Sequence, residues 1–238
     1  RRGEFVLPAK PIIITFDDGR KDSFFPTDDI FRQLGFKATI FVATGPTIDG
    51  NSFYLGWSDL RRLQATGRWE IGAHGRYSHR KVVVGKEEGE LGRYLTSRMY
   101  LPDEDRLETV AEFEERVEAD YVNGIDDLEQ HLGVNVRYFA IPLNDYGRRP
   151  YSNYTPSYNF NHRLVSKYFS LAFIQVNRSG DWVDLMPPVY NFRHTDPYTI
   201  RRVEAGNMPA AELRDLLERY RPTRPELNLA GRALETAP

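Results

Sequence analysis

Apolar runs and polar breaks alternate along this chain, and the pattern predicts strands and helices in turn. Ile12-Ile13-Ile14-Thr15-Phe16 is apolar or β-branched throughout, as in a strand buried on both faces, and Asp17-Asp18-Gly19 stops it. Asp28 to Leu34 reads as a short helix closed by Gly35. Lys37 to Val42 gives a second strand that leaves through Ala43-Thr44-Gly45-Pro46. Ser58 is placed to cap a helix running to Ala65, with Leu60 and Leu63 as its apolar stripe. Trp69 to Ala73 then forms a third strand, with His74 at its far end.

The longest periodic stretch runs from Leu107 to His131. Val110, Phe113, Val117, Tyr121, Ile125, Leu128 and Leu132 recur every three or four positions, opposite an acidic, solvated face. Gly124 is expected to weaken or divide this helix. Further strands are expected over Val134 to Ile141, Tyr168 to Val176 and Tyr198 to Val203. A short helix follows from Pro209 to Tyr220, with Pro209 suited to its first turn. Pro150 to Asn161, with Tyr151, Tyr154 and Tyr158 among Ser, Asn and Pro, reads as an irregular loop. The order of elements predicts a parallel α/β fold, which a barrel or a doubly wound sheet would satisfy. We expect one domain over residues 1–220, and a tail or linker over 221–238, which is rich in Pro and charge.

Composition narrows the functional classes. The 238 residues, 40% hydrophobic, suffice for one large core. Lys plus Arg number 32 against 34 Asp plus Glu, so no basic excess recommends a nucleic-acid partner. Without cysteine there are no disulfides, thiolate ligands or cysteine nucleophiles. No apolar run approaches the ~20 residues of a transmembrane helix. No targeting signal is visible, and the opening Arg1-Arg2-Gly3-Glu4 reads as a trimmed boundary.

The candidate chemistry lies at strand ends. Asp17-Asp18 follows the first strand and His74 the third, and active sites of α/β folds lie outside the carboxyl ends of such strands. His79 is five residues from His74, which is wrong for one helix face, but a turn at Gly75 can bring the imidazoles together. One carboxylate and two imidazoles suit zinc or a similar divalent ion. The second carboxylate can then take the proton from water attacking a carbonyl. Against this stands the simpler account that two aspartates form a turn and two histidines pack as hydrogen-bonded residues.

Thr15-Phe16-Asp17-Asp18-Gly19 resembles the first motif of the polysaccharide deacetylases, carbohydrate esterase family 4. Glu70-Ile71-Gly72-Ala73-His74 with His79-Arg80 resembles the second, and Tyr138 to Tyr146 the third. The usual spacing between the two histidines is four. The spacing of five, with Asp18 to Phe24, Lys37 to Phe41 and Trp57, resembles the branch that deacetylates poly-β-1,6-N-acetyl-D-glucosamine, a biofilm exopolysaccharide. The resemblance implies a distorted (β/α) barrel with fewer than eight regular units, and hydrolysis of an N-acetyl group to an amine and acetate. It implies Asp17 as general base, Asp18, His74 and His79 as ligands of one divalent metal, and the Leu143 amide as oxyanion donor. Zinc is the expected ion, with nickel, cobalt or iron compatible with the same ligands. His194 is the candidate general acid, and Tyr146 and Trp182 are candidate sugar platforms. Asp181-Trp182 resembles the fourth motif.

Two departures stand out. Leu143-Asn144 replaces the usual Tyr-Gly, and no clear equivalent exists for the arginine that orients the base, although Arg137 is near in sequence. The expected partner is an acetylated polysaccharide or oligosaccharide, met outside the cell, in the periplasm or at the cell surface. The alternatives are an O-acetyl esterase, a deacetylase of another glycan, or a carbohydrate-binding domain that has lost turnover.

Overall fold

The computed structural model describes residues 11–147, 152–176, 191, 195–206 and 208–219. In chain order these form β1 (Thr15–Phe16), α1 (Lys21–Leu34), β2 (Ala38–Val42), α2 (Thr44–Ile48), α3 (Trp57–Ala65) and β3 (Trp69–Ala73). Four short strands follow: β4 (Lys81–Val83), β5 (Leu91–Arg93), β6 (Tyr100–Leu101) and β7 (Arg106–Leu107). The chain then forms α4 (Val110–Leu132), β8 (Tyr138–Ala140), α5 (Ser157–Tyr168), β9 (Leu171–Val176), β10 (Ile200–Val203) and α6 (Ala210–Arg219).

Six strands make one parallel sheet in the order β1-β2-β3-β8-β9-β10. Its period-two alternation sorts side chains into two layers. Ala38, Ile40 and Val42 of β2 face the helices and join the main core with Phe113, Val117, Leu128 and Phe139. Phe41 faces the other way and meets Ala140 and Phe173 in a small second cluster. The sheet is curled, since Arg202 on β10 reaches Thr15 and Asp17 at the opposite end of the strand order. The architecture is a partly open barrel with fewer than eight strands, the distorted (β/α) type that the motifs imply. Among the described residues no helix is long and apolar enough to cross a membrane.

Several local expectations need correction. Ile12 and Ile13 are each 67% exposed and precede the paired part of β1, whose register begins at Thr15↔Thr39. The first helix starts at Lys21, not Asp28, and runs through Pro26. Its inner face explains this: Phe24 and Phe31 are buried against Phe16 and Trp69, and that packing outweighs one missing N–H. Helix α3 is entered at Gly56, whose N–H donates to Asp59, so Ser58 is not the cap. Gly124 does not divide α4, a single helix of 23 residues opened by a Thr109–Glu112 capping box. Pro150 to Asn161 is not all loop, because α5 begins at Ser157. The ladders β4-β5 and β6-β7 have strands of two or three residues, too short for any hydrophobic period to register. The expected tail over 221–238 lies outside the described residues.

Candidate metal centre and active site

The first turn after the sheet's edge strand brings the two aspartates to its carboxyl end. Asp18 has φ 70°, in the left-handed region that few side chains adopt but that Asp tolerates more readily. Gly19 continues in the same region, and its N–H closes a tight turn onto the Asp17 carbonyl. The two carboxylates thus leave the strand in different directions, toward different partners.

His74 lies directly beyond β3, its N–H bonded to Val42 O, and its side chain is 2% exposed. Its Nδ1 is 2.7 Å from the Ala140 carbonyl oxygen. That bond assigns the proton to Nδ1 and leaves the Nε2 lone pair facing the aspartates. His79 arrives from the loop that follows. The Nε2 atoms of His79 and His74 lie 3.1 and 3.4 Å from Asp18 Oδ1, and the two rings are 4.7 Å apart.

One ligand atom from each of Asp18, His74 and His79 falls within 4.8 Å of the others. Two ligands on one zinc-like ion at about 2.1 Å sit about 3.0–3.5 Å apart, so the two N···O separations fit a shared cation. His79 Nε2 is moreover a buried nitrogen with no hydrogen-bond partner, which is costly unless something else occupies its lone pair. This buried Asp/His cluster can coordinate a divalent metal.

Asp17 is held by a different partner. Arg202 donates to Asp17 Oδ1 at 2.6 Å and Oδ2 at 2.8 Å, and to Thr15 Oγ1 at 3.0 Å. The guanidinium lies inside the barrel, 5.3 Å from the Phe41 ring centroid and 5.9 Å from that of Phe173. Burial pushes the Asp17 carboxyl up, but His74 and then Arg202 overcome this and hold it below its ordinary value. Burial also opposes ionisation of Asp18, and the adjacent His74 and His79 imidazoles together outweigh it and hold the carboxyl well below its ordinary value. His74 is penalised by burial in turn, and Asp17 and Asp18 raise it above its ordinary value.

Arg202 is the residue that sequence reading missed. Arg137 is nearer to the third motif in sequence, but the guanidinium on Asp17 is that of Arg202. The signal available was Arg201-Arg202 inside an expected strand, but nothing local says that β10 curls back to β1.

The third segment follows β8, next to His74. Leu143 and Asn144 both have φ 55°. Two successive non-glycine residues in this region are strained, and such strain concentrates at functional sites. Asn144, which tolerates it best, also accepts the Gln175 N–H at 3.0 Å, which ties the turn to β9. Asp145 anchors the other side, accepting from Leu95 N at 3.0 Å and from the Thr96 hydroxyl. Burial raises its carboxyl to about 6 despite these two bonds.

The remaining candidates scatter. Tyr146 is 8% exposed and packs in the main core, which leaves little ring for a sugar. Tyr154 packs on Phe113, whereas Tyr158 is exposed. His131 stacks on Trp57 at the end of α4. His162 pairs with Asp196 at 2.8 Å, ahead of β10 and so toward the opposite end of the sheet from Asp17. His194, Trp182 and Tyr151 lie outside the described residues.

The sequence profile described as Polysaccharide deacetylase matches residues 6–155. The chain is 26% identical over 157 residues to the poly-beta-1,6-N-acetyl-D-glucosamine N-deacetylase of Escherichia coli strain K12, over 60% of this chain and 23% of that protein. It therefore spans about a quarter of that relative's length. Among solved structures, the BpsB deacetylase domain of Bordetella bronchiseptica superposes with a TM-score of 0.64 at 22% identity, covering 83% of this chain and 72% of that one. A de-N-acetylase of Aggregatibacter actinomycetemcomitans gives 0.67 at 15% identity, covering 90% and 78%. The structural likenesses speak for the fold alone. The profile covers more than half of the chain, and it falls on the residues that meet at the strand ends: the chain belongs to the polysaccharide deacetylase family.

Proposed function

We propose that this protein hydrolyses N-acetyl groups on a polysaccharide that contains N-acetylglucosamine, with a β-1,6-linked exopolysaccharide as the first candidate. The observation that carries the reading is the Asp18–His74–His79 cluster beside a second carboxylate held ionised by Arg202. Asp18, His74 and His79 would hold the divalent ion, zinc or a comparable one. When bound, it would supply Lewis acidity toward water and the acetyl carbonyl. Asp17 stands 3.8 Å from His74 Nε2, close enough to the cluster to take a proton from a water placed there. Arg202 keeps that carboxylate oriented and deprotonated.

The Leu143 amide is the proposed donor to the oxyanion, aimed by the left-handed turn. Collapse of the tetrahedral carbon breaks the C–N bond, releases acetate and requires a proton on the departing amine. His194 is the candidate donor. The spacing of five between His74 and His79 and the Escherichia coli relative favour the exopolysaccharide over chitin or peptidoglycan. Such a substrate places the protein outside the cytoplasm.

The test is acetate release by protein loaded with zinc or cobalt from poly-β-1,6-N-acetylglucosamine, chitin oligomers, peptidoglycan fragments and O-acetylated xylan. We expect release from the first, and a loss of at least about 100-fold in Asp17→Asn with metal still bound. No release from any of the four would sink the hydrolase reading. Release from xylan alone would make the protein an esterase.

A further inference from the structure

His74 and His79 reach the cluster by different routes. His74 is fixed by the end of β3 and by the Ala140 carbonyl. His79 has no strand beneath it, and its place comes from the loop Gly75–Ser78. That loop is held from two sides. The carbonyls of Gly75 and Arg76 accept from Thr44 N at 3.2 Å and Gly45 N at 3.1 Å, at the start of α2. On the other side the Arg76 and Tyr77 N–H groups donate to the two oxygens of a single carboxylate, Asp120, at 3.0 and 2.6 Å. Asp120 is 4% exposed and belongs to the middle of α4, which carries none of the cluster residues.

Asp120, Gly124 and Asp127 are spaced i, i+4, i+7 and so share one face of that helix. Gly124 lets the helix meet the loop backbone: a Cβ there would lie 3.2 Å from the Gly75 carbonyl carbon and 3.4 Å from Arg76 N. Asp127 accepts the Thr44 hydroxyl at 2.7 Å and pairs with Arg76 Nε at 3.2 Å, which locks the loop to α2 as well. Gly75 itself has φ 74°, and a Cβ on it would fall 2.8 Å from Asp120 Oδ2. The loop that spans the longer histidine spacing is thus moulded against the helix: a side chain at Gly75 would clash outright, and one at Gly124 would require the loop backbone to give by a few tenths of an ångström.

We propose that Asp120 is a positioning residue of the metal centre: through the Arg76 and Tyr77 amides it sets where His79 presents its ring, with Gly124 permitting the contact. The inference rests on the metal-site reading above, and extends it to a helix that none of the family motifs covers. A carboxylate accepting two adjacent N–H groups cannot be replaced by an amide without turning a donor toward a donor. Loss of such a support of a metal ligand commonly weakens metal binding 10- to 100-fold.

The experiment titrates the full chain with Co(II) against a competing chelator and records the visible absorption of the bound ion. Three variants are compared with wild type at a temperature where each is folded by circular dichroism: Asp120→Asn, Gly124→Ala, and Asp126→Asn on the exposed face of α4 as control. We expect cobalt affinity to fall about 10- to 100-fold in Asp120→Asn and several-fold in Gly124→Ala, with an altered absorption band, and no change in the control. A merely structural role would lower the melting temperature and leave the affinity of the folded protein unchanged. If Asp120→Asn does not fold, Gly124→Ala decides alone. Affinities within twofold of wild type, with the same band, overturn the proposal while leaving the metal centre intact. A wild-type chain that binds no cobalt overturns both.

Discussion

Asp17 and Asp18 are chemically identical neighbours placed in different surroundings. One faces a guanidinium, the other two imidazoles, and both stay ionised despite burial. Arg202 therefore carries a testable consequence. Removing its charge lets burial and Asp18 raise the Asp17 carboxyl, so the deprotonated base is populated only at higher pH. In Arg202→Met the acidic limb of the pH–rate profile should move to higher pH, with kcat falling more than KM changes. A pH profile that keeps its acidic limb in place would separate Arg202 from the base. The structure brings Asp18, His74 and His79 together, and the pair of aspartates and the two histidines were readable in the chain as a candidate metal cluster. Arg202 was not, because its partner is 185 residues away and no local pattern predicts that contact.

At the scale of elements, the turn after β8 concentrates strain and anchoring within three residues. In Asn144→Ala the left-handed backbone remains unfavourable and the Gln175 N–H loses its acceptor. The expected cost is about 2 kcal/mol, the sum of roughly 1 for the backbone and 1 for the hydrogen bond, read by urea unfolding. Asn144→Gly loses only the bond and should fall between Ala and wild type.

Asp145 makes a prediction with a definite sign. Its folded carboxyl stands at about 6 against 3.8 for the ordinary group. A carboxyl raised on folding contributes stability that is full below about pH 4 and is lost as pH rises through about 6. Asp145→Asn cannot ionise, so the stability of wild type relative to this variant should increase between pH 7 and pH 4. The increase over that range is roughly 2 to 2.5 kcal/mol, most of a shift of about two pKa units at about 1.4 kcal/mol each. Unfolding midpoints of both proteins across that range measure it, and a constant difference would show that Asp145 is not the buried acid described.

Across the whole molecule the site and the core are separable. The main cluster of Phe24, Phe31, Trp69, Phe113, Tyr121 and Phe139 lies between sheet and helices, while the candidate ligands sit at the carboxyl end of the strands. Chelation should therefore abolish acetate release and lower the melting temperature by a few degrees, yet leave a cooperative transition and an unchanged far-ultraviolet spectrum. Divalent metal should restore both. Loss of the cooperative transition on chelation would instead mean that the ion is part of the fold.

The alternation of strand and helix was legible because each element with a long enough period declares its own face. Helix α4, β2 and β3 fall within a few residues of where their apolar positions place them. The start of helix α1 was not legible, since the packing of Phe24 and Phe31 on Trp69 that carries it through Pro26 joins residues distant in the chain. The ladders between His79 and α4 were invisible because strands of two or three residues show no period. The same division holds at the site. Asp17-Asp18 and His74 could be assigned to strand ends because a strand has an end that the local chain defines. Nothing local defines how far a sheet curls, and that curl puts Arg202 against Asp17. Nor does any short segment specify which helix a loop rests on. The hold of Asp120 on the His79 loop belongs to packing across the whole chain.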